Sequence, residues 1–304
     1  MRHPHQLKRV LIVGVQQFIA FHLCSRILEE GVHVDGLFIN PKLNQYQKWV
    51  DEQMMWLGRN AELRIFETTD LEDIRLNDYD VIYFCQIDPH DPEWPKKWGN
   101  EKILMNDLLS IAIEKNSPVI LLSSYDIYGE DQTEIDHETV PQPTSQKGLF
   151  YLKAEKWLSQ QFEKHSFPML CVRIPTVYGP WQPPGQWMTD YLLEELAHSY
   201  KPTFAKKQSL TRDLLYVEEA VELLFQLGDV ENWESSIVHI FSSVSNRVEA
   251  SFEALKINNR NLPLYKPIRF NIKNVIVPQQ LKEMDEGIEE QINFLKRFNP
   301  ILQN

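Results

Sequence analysis

The stretch RVLIVGVQQFIAFHLCSRILEEGVHVDGLFIN, Arg9 to Asn40, decides the fold. Apolar residues Val10–Val13 and Val15 flank Gly14, and Phe18, Ile19, Phe21, Leu23, Ile27 and Leu28 follow at helical spacing. Gly31 stops that helix, and Val32–Ile39 reads as a second buried strand. Strand, tight glycine turn, helix and strand make a βαβ unit, whose crossover forces the two strands to pair in parallel. The helix then starts over the sheet edge, where its free amides suit a dinucleotide pyrophosphate. Such a turn uses glycines for the bend, for close approach of backbone to phosphate, and for helix–strand packing. Gly14 is present, but the next two positions at that spacing are Gln17 and Ala20. Ala20 serves as the packing residue, whereas Gln17 sets a long side chain where phosphate approaches. Gly14, Gln17 and Ala20 are thus candidate cofactor contacts on a half-eroded cradle. The acidic residue that would hold the adenosine ribose belongs at the end of the second strand. Phe38, Ile39 and Asn40 stand there, and Asp35 comes too early and faces away. Two readings stay open: a dinucleotide held by a modified turn, or a βαβ unit that holds it weakly or not at all.

Outward from this unit, alternation continues. A helix over 43–57 carries Trp49, Met54 and Trp56, and a short strand over Leu63–Phe66 runs on to Asp70, a further candidate cofactor contact. Val81–Cys85 is a buried strand. Gln86–Trp98, with Pro89, Pro92 and Pro95, reads as a loop; Asn100–Glu114 reads as a helix and Pro118–Ser124 as a strand. Repeated strand–helix units of this kind imply an α/β fold with a doubly wound parallel sheet.

At 304 residues the chain buries a large core in one big domain or two interleaved ones. A net charge of −12 argues against nucleic acid, which needs a basic face. Cys24, Cys85 and Cys171 lie scattered in apolar runs and read as buried thiols of a reducing compartment. The nine histidines show no metal-binding spacing, and no early apolar run is long enough for a signal peptide or membrane span. A cytoplasmic protein with no membrane partner is the default expectation.

Four later blocks carry a resemblance. SSYDIYG (Ser123–Gly129), RIPTVYGP (Arg173–Pro180), LTRDLLYVEEAVELL (Leu210–Leu224) and EGIEEQINFLKRF (Glu286–Phe298) resemble, in order and spacing, the motifs of the extended short-chain dehydrogenase/reductase family. These are the NAD-dependent nucleotide-sugar epimerases, dehydratases and decarboxylases. The resemblance spans essentially the whole chain. It implies a Rossmann-like domain over 1–175 and 209–245, and a smaller substrate domain over 176–208 and 246–304. It also implies NAD or NADP as cofactor, a nucleotide sugar as ligand, and a homodimer formed through the helices at 100–115 and 145–163.

In that family a tyrosine and a lysine four residues apart share one helix face. The phenolate takes the sugar hydroxyl proton while hydride passes to the nicotinamide, and the lysine ammonium lowers the phenol pKa. A serine or threonine holds the reacting oxygen, and Ser124 fits that place. With Pro143 and Glu155 as anchors, Lys147 takes the tyrosine position and Tyr151 the lysine position, so the pair stands reversed. A frame shifted by two would keep Lys153 but put Leu149 at the tyrosine. No lysine has a tyrosine four residues before it. Lys147 would act as a base only if burial lowered its pKa by several units; otherwise both are ordinary helix residues. Asp126 stands where the family's dehydratases and decarboxylases carry a glutamate, able to move a proton at the carbon beside the oxidised centre. Alternatively it caps the turn before Tyr128.

Ser124, Asp126, Lys147 and Tyr151 are thus the candidate catalytic set. On the substrate side, Tyr178 and Arg212 are candidate contacts, Arg212 resembling the family's diphosphate clamp; a salt bridge to Asp213 or to Glu218–Glu219 is its structural alternative. Trp181, Trp187, Met188 and Tyr191 read as pocket wall or as core, and Lys201, Lys206 and Lys207 as a solvated charge run. Three functions follow: an epimerase- or dehydratase-like protein with lost or altered redox chemistry, a non-catalytic relative that scaffolds an active partner, or a conventional NAD(P) enzyme.

Overall fold

The computed structural model describes residues 7–39, 47–85, 94–129, 132, 134–136, 138–196, 213–229, 237–244, 247–256, 269–271 and 274–298. The opening unit comprises β1 (Arg9–Val13), α1 (Phe18–Glu29) and β2 (His33–Leu37), with β1 and β2 parallel from Arg9–His33 to Val13–Leu37. Gly31 follows α1 with a positive φ of 73°, a helix-ending conformation that glycine takes without strain. Next come α2 (Gln47–Leu57), β3 (Leu63–Phe66), α3 (Leu71–Arg75), β4 (Val81–Phe84), α4 (Trp94–Lys115) and β5 (Val119–Ser124). A single 3₁₀ turn at Tyr125–Ile127 and a short β6 (Glu134–Asp136) lead to α5 (Gln146–His165) and β7 (Met169–Ile174).

One expectation needs correction here. The proline-rich segment is not a loop throughout: α4 begins at Trp94, because proline is tolerated in a helix's first turn, where its missing N–H had no partner to lose. Residues 86–93 lie outside the described residues. On α2, Trp49 is buried but Trp56 is exposed, so that helix presents only one of its tryptophans to the core.

The remaining elements are β8 (Thr176–Tyr178), α6 (Trp187–Leu196), β9 (Leu214–Tyr216), α7 (Val217–Gly228), β10 (Ile237–Ile240), α8 (Arg247–Ala254), β11 (Arg269–Asn271), β12 (Val275–Ile276) and α9 (Met284–Phe298). Eight strands form one parallel sheet in the order β12-β10-β7-β5-β4-β1-β2-β3. The order reverses between β1 and β4, which puts the switch point at the end of β1, at Gly14. β8 pairs with β9 and β6 with β11 in two small sheets. β12, late in the chain, completes the large sheet beside β10.

The central strands are apolar on both faces, as a sheet covered by helices on each side requires. Val10, Ile12, Val81, Tyr83, Ile120, Leu122, Leu170 and Val172 face one core with α1, α2 and α7. Leu11, Val13, Ile82, Phe84, Val119, Leu121, Met169 and Cys171 face the other, with α4 and α5. All three cysteines are buried free thiols, and burial pushes each thiol pKa up. Among the described residues, no helix is long and apolar enough to cross a membrane.

Candidate active site

The site forms where the C-terminal end of β5 runs under the first turns of α5. Ser124 ends β5, and its hydroxyl both accepts the Asp126 N–H (3.2 Å) and donates to Asp126 Oδ2 (2.9 Å). Ser145 caps α5, its hydroxyl accepting the Gly148 N–H at 3.0 Å. Gly148 lets that first turn sit directly on the 3₁₀ turn: a Cβ there would lie 1.9 Å from the Asp126 carbonyl oxygen. The close approach brings Lys147 Nζ to 2.8 Å from Asp126 Oδ2. Tyr151, one turn further along α5, is buried among Tyr125, Ile127, Tyr128 and Ile135, its ring centroid 5.9 Å from the Lys147 ammonium. The structure therefore brings Ser124, Asp126, Lys147 and Tyr151 together.

A deeper network fixes α5 in this register. Glu155, two turns beyond Lys147 on the same face, takes both Nε (3.0 Å) and Nη2 (2.7 Å) of Arg173 on β7. Its Oε1 also accepts the Ser123 hydroxyl at 2.5 Å, while Arg173 Nη1 donates to the Tyr128 hydroxyl at 2.7 Å. All four residues are buried. Leu149 and Lys153, the residues of the shifted frame, are exposed. Lys147 lies one turn before Tyr151 on α5, in the order read from the sequence.

The charge state of Lys147 bears on the two readings left open for it. Burial disfavours its ammonium, but the Asp126 carboxylate and the Tyr151 phenol outweigh that, and its pKa is raised. A lysine base needs the opposite shift. Lys147 is a held cation with one N–H spent on Asp126, while its side chain keeps 33% exposure. Arg173 is raised likewise, Glu155 overcoming the cost of burial.

The turn after β1 meets a dinucleotide only in part. Gly14 has φ 81° and donates its N–H to the Leu37 carbonyl at 2.9 Å, folding the turn tightly against β2. Gln17 makes no side-chain cap bond and the first turn of α1 holds no acidic residue. The amides that open that helix therefore fit an anion. Gly14 to Ala20 would hold a pyrophosphate. The ribose end does not fit in the family's manner. There the side chain of Gln16, which is buried, spans to Ile39 at the end of β2, donating from Nε2 to its carbonyl (2.5 Å) and accepting its N–H at Oε1 (3.3 Å). Asp35 turns inward, as expected, to Arg9 Nη1 (3.0 Å) and the Tyr79 hydroxyl (2.9 Å). Asp70 accepts the Glu67 N–H at 2.8 Å and thus closes a local turn before α3.

On the substrate side, Tyr178 is fully buried, its ring 5.4 Å from that of Tyr216 and its hydroxyl where a Cβ on Gly287 would sit. That makes it a packing residue of the core. Trp181, Trp187 and Met188 are buried too, so they are core, with Trp181 packed on Phe21, Trp49 and Phe294. Arg212, Lys201, Lys206 and Lys207 lie outside the described residues. The acids set beside Arg212 as alternatives have other partners: Asp213 accepts the Ser242 N–H and hydroxyl, both at 2.6 Å, and Glu219 accepts the N–H groups of Tyr216 (2.8 Å) and Lys282 (2.5 Å). Burial pushes the Asp213 carboxyl up to about 6 against the pull of Ser242.

Sequence reasoning missed Gln16 and Gly148. A glutamine beside Gln17 carries no periodic signal, and the glycine in α5 looks like a weak helix former rather than a point of close approach.

Comparison with known proteins fits this architecture. The model of the NAD dependent epimerase/dehydratase family matches residues 10–235. The chain is 26% identical over 231 residues to the uncharacterized UDP-glucose epimerase YtcB of Bacillus subtilis, covering 70% of each. It is 30% identical over 112 residues to the uncharacterized protein YjaV of the same organism, spanning 33% of this chain and 60% of that one. Its fold is similar to that of the UDP-glucuronic acid 4-epimerase from Bacillus cereus, solved in complex with NAD. The TM-score is 0.76 at 20% identity, with 96% of this chain and 99% of that one covered.

Proposed function

Because the chain belongs to the NAD-dependent epimerase/dehydratase family, we propose that it is a nucleotide-sugar-binding member whose hydride chemistry is lost or altered. The observation that carries this reading is the Lys147–Asp126 contact of 2.8 Å at the place where the family puts a phenol. Hydride removal from a carbinol needs a group that takes the hydroxyl proton at once. An ammonium with a raised pKa cannot take it. NAD, when bound in this family, supplies the hydride acceptor; here Gly14–Ala20 would hold its pyrophosphate, and among the described residues no carboxylate follows β2 for the ribose. Ser124 and Lys147 would orient a sugar oxygen, and Asp126 is the carboxylate of the four. Arg212 would grip the diphosphate. Pairing of two copies through α4 and α5 is part of the same reading, supported by exposed Ile103, Leu149 and Phe162 on those helices.

Calorimetric titration with UDP-glucose, dTDP-glucose, NAD and NADP tests it. Sugar nucleotide should bind more tightly than either dinucleotide. Tight dinucleotide binding with hydride transfer would overturn the reading, and absence of binding by all four would favour a scaffold.

A further inference from the structure

We infer that Asp126 and Lys147 form a site for redox-free proton transfer on a keto sugar, a nucleotide sugar that arrives already oxidised at the carbon set against Lys147. This rests on the nucleotide-sugar reading and narrows its substrate class. Three features of the geometry carry it. Lys147 spends one ammonium N–H on Asp126 Oδ2 and its side chain is one-third exposed, so the ammonium has two further donors to offer a substrate oxygen. Both contacts to the carboxylate, from Ser124 and from Lys147, fall on Oδ2; among the described residues no hydrogen bond falls on Oδ1. The carboxylate therefore keeps an oxygen for a proton while its other oxygen is fixed. Finally, Gly148 and the buried Glu155–Arg173 pair hold α5 in place, so cation and carboxylate stay in register before substrate arrives.

Lys147, a cation, takes no proton from an alcohol. With a ketone the chemistry changes. Asp126 takes the proton from the carbon next to the carbonyl; the C–H electron pair becomes a carbon–carbon double bond, and the carbonyl π pair moves onto oxygen. That enolate oxygen lies against the Lys147 ammonium, which lowers the barrier by opposing the developing charge. The proton then returns from Asp126 to carbon, or leaves with a hydroxyl from the next carbon as water. Neither course needs an oxidant or reductant. An oxidation of a sugar hydroxyl must accordingly supply the substrate, and a reduction or group transfer at that carbonyl must consume the product.

The test incubates the full chain with UDP-4-keto-6-deoxyglucose in D₂O without dinucleotide and follows deuterium entry at C3 and C5 by NMR. We expect exchange at least tenfold above buffer, falling to the buffer rate in Asp126→Asn and Lys147→Met and partly restored in Lys147→Arg. UDP-glucose binding, measured in parallel, separates the failures. Binding with exchange at the buffer rate in the unmodified protein would overturn this inference alone, as would exchange that requires NAD. Absence of binding would overturn the nucleotide-sugar reading with it.

Discussion

Two ion pairs lie on one face of α5, and they differ in almost everything but sign. Glu155 and Arg173 are both under 10% exposed, meet through two parallel hydrogen bonds, and have Ser123 and Tyr128 as further partners. Lys147 and Asp126 meet through one contact, with side chains 33% and 12% exposed. The first pair has every lone pair it needs to survive burial, and removing one member would strand a charge in the core. The second leaves ammonium donors unspent and, among the described residues, one carboxylate oxygen without a hydrogen bond. Eight residues along one helix thus separate a pair sealed in the core from a pair partly open to solvent. On the proposed reading, that contrast lets the chain keep the family's architecture while a different group stands at its reactive position.

The contrast yields graded expectations. Glu155→Gln should cost most, about 3–5 kcal/mol of unfolding free energy in a denaturant titration, because the Arg173 guanidinium loses its buried counter-charge. A loss under about 1 kcal/mol would erase the distinction between the pairs. Gly148→Ala should come next, about 1–3 kcal/mol, since the added methyl must push the turn off the Asp126 carbonyl. It should also abolish the proton exchange expected of Asp126, by parting it from Lys147. A folded variant with unchanged exchange would show that their close contact is incidental. Lys147→Met should cost least, within about 1 kcal/mol, as partly exposed pairs do, while removing exchange. A stability loss matching that of Glu155→Gln would mark Lys147 as structural.

Much of the scaffold was legible from Arg9–Asn40, because a continuous apolar run in β1, a glycine turn and a period near four in α1 leave one topology open. The five strands expected up to Ser124 fell within a residue or two of their bounds. The start of α4 was not legible: Pro89, Pro92 and Pro95 read alike as breakers, and only position within the first turn exempts Pro95. Composition named the site residues through resemblance, yet their arrangement depends on contacts 21 residues apart, between Asp126 and Lys147, which no local period encodes. The charge of Lys147 was left open for a related reason. Burial was foreseeable from sequence, but the carboxylate that reverses its effect was not. Gln16 shows the same limit at the other site. A turn that looked merely eroded has its own clasp to Ile39.

The central claim is that an ammonium at the phenol's place has ended hydride exchange with a sugar hydroxyl. Incubating the protein with NAD and UDP-glucose deuterated at C4, then locating the label by mass spectrometry, tests this directly. Deuterium should remain on the sugar, with none on the nicotinamide ring. Deuterium on the nicotinamide, with a keto sugar formed beside it, would contradict the account.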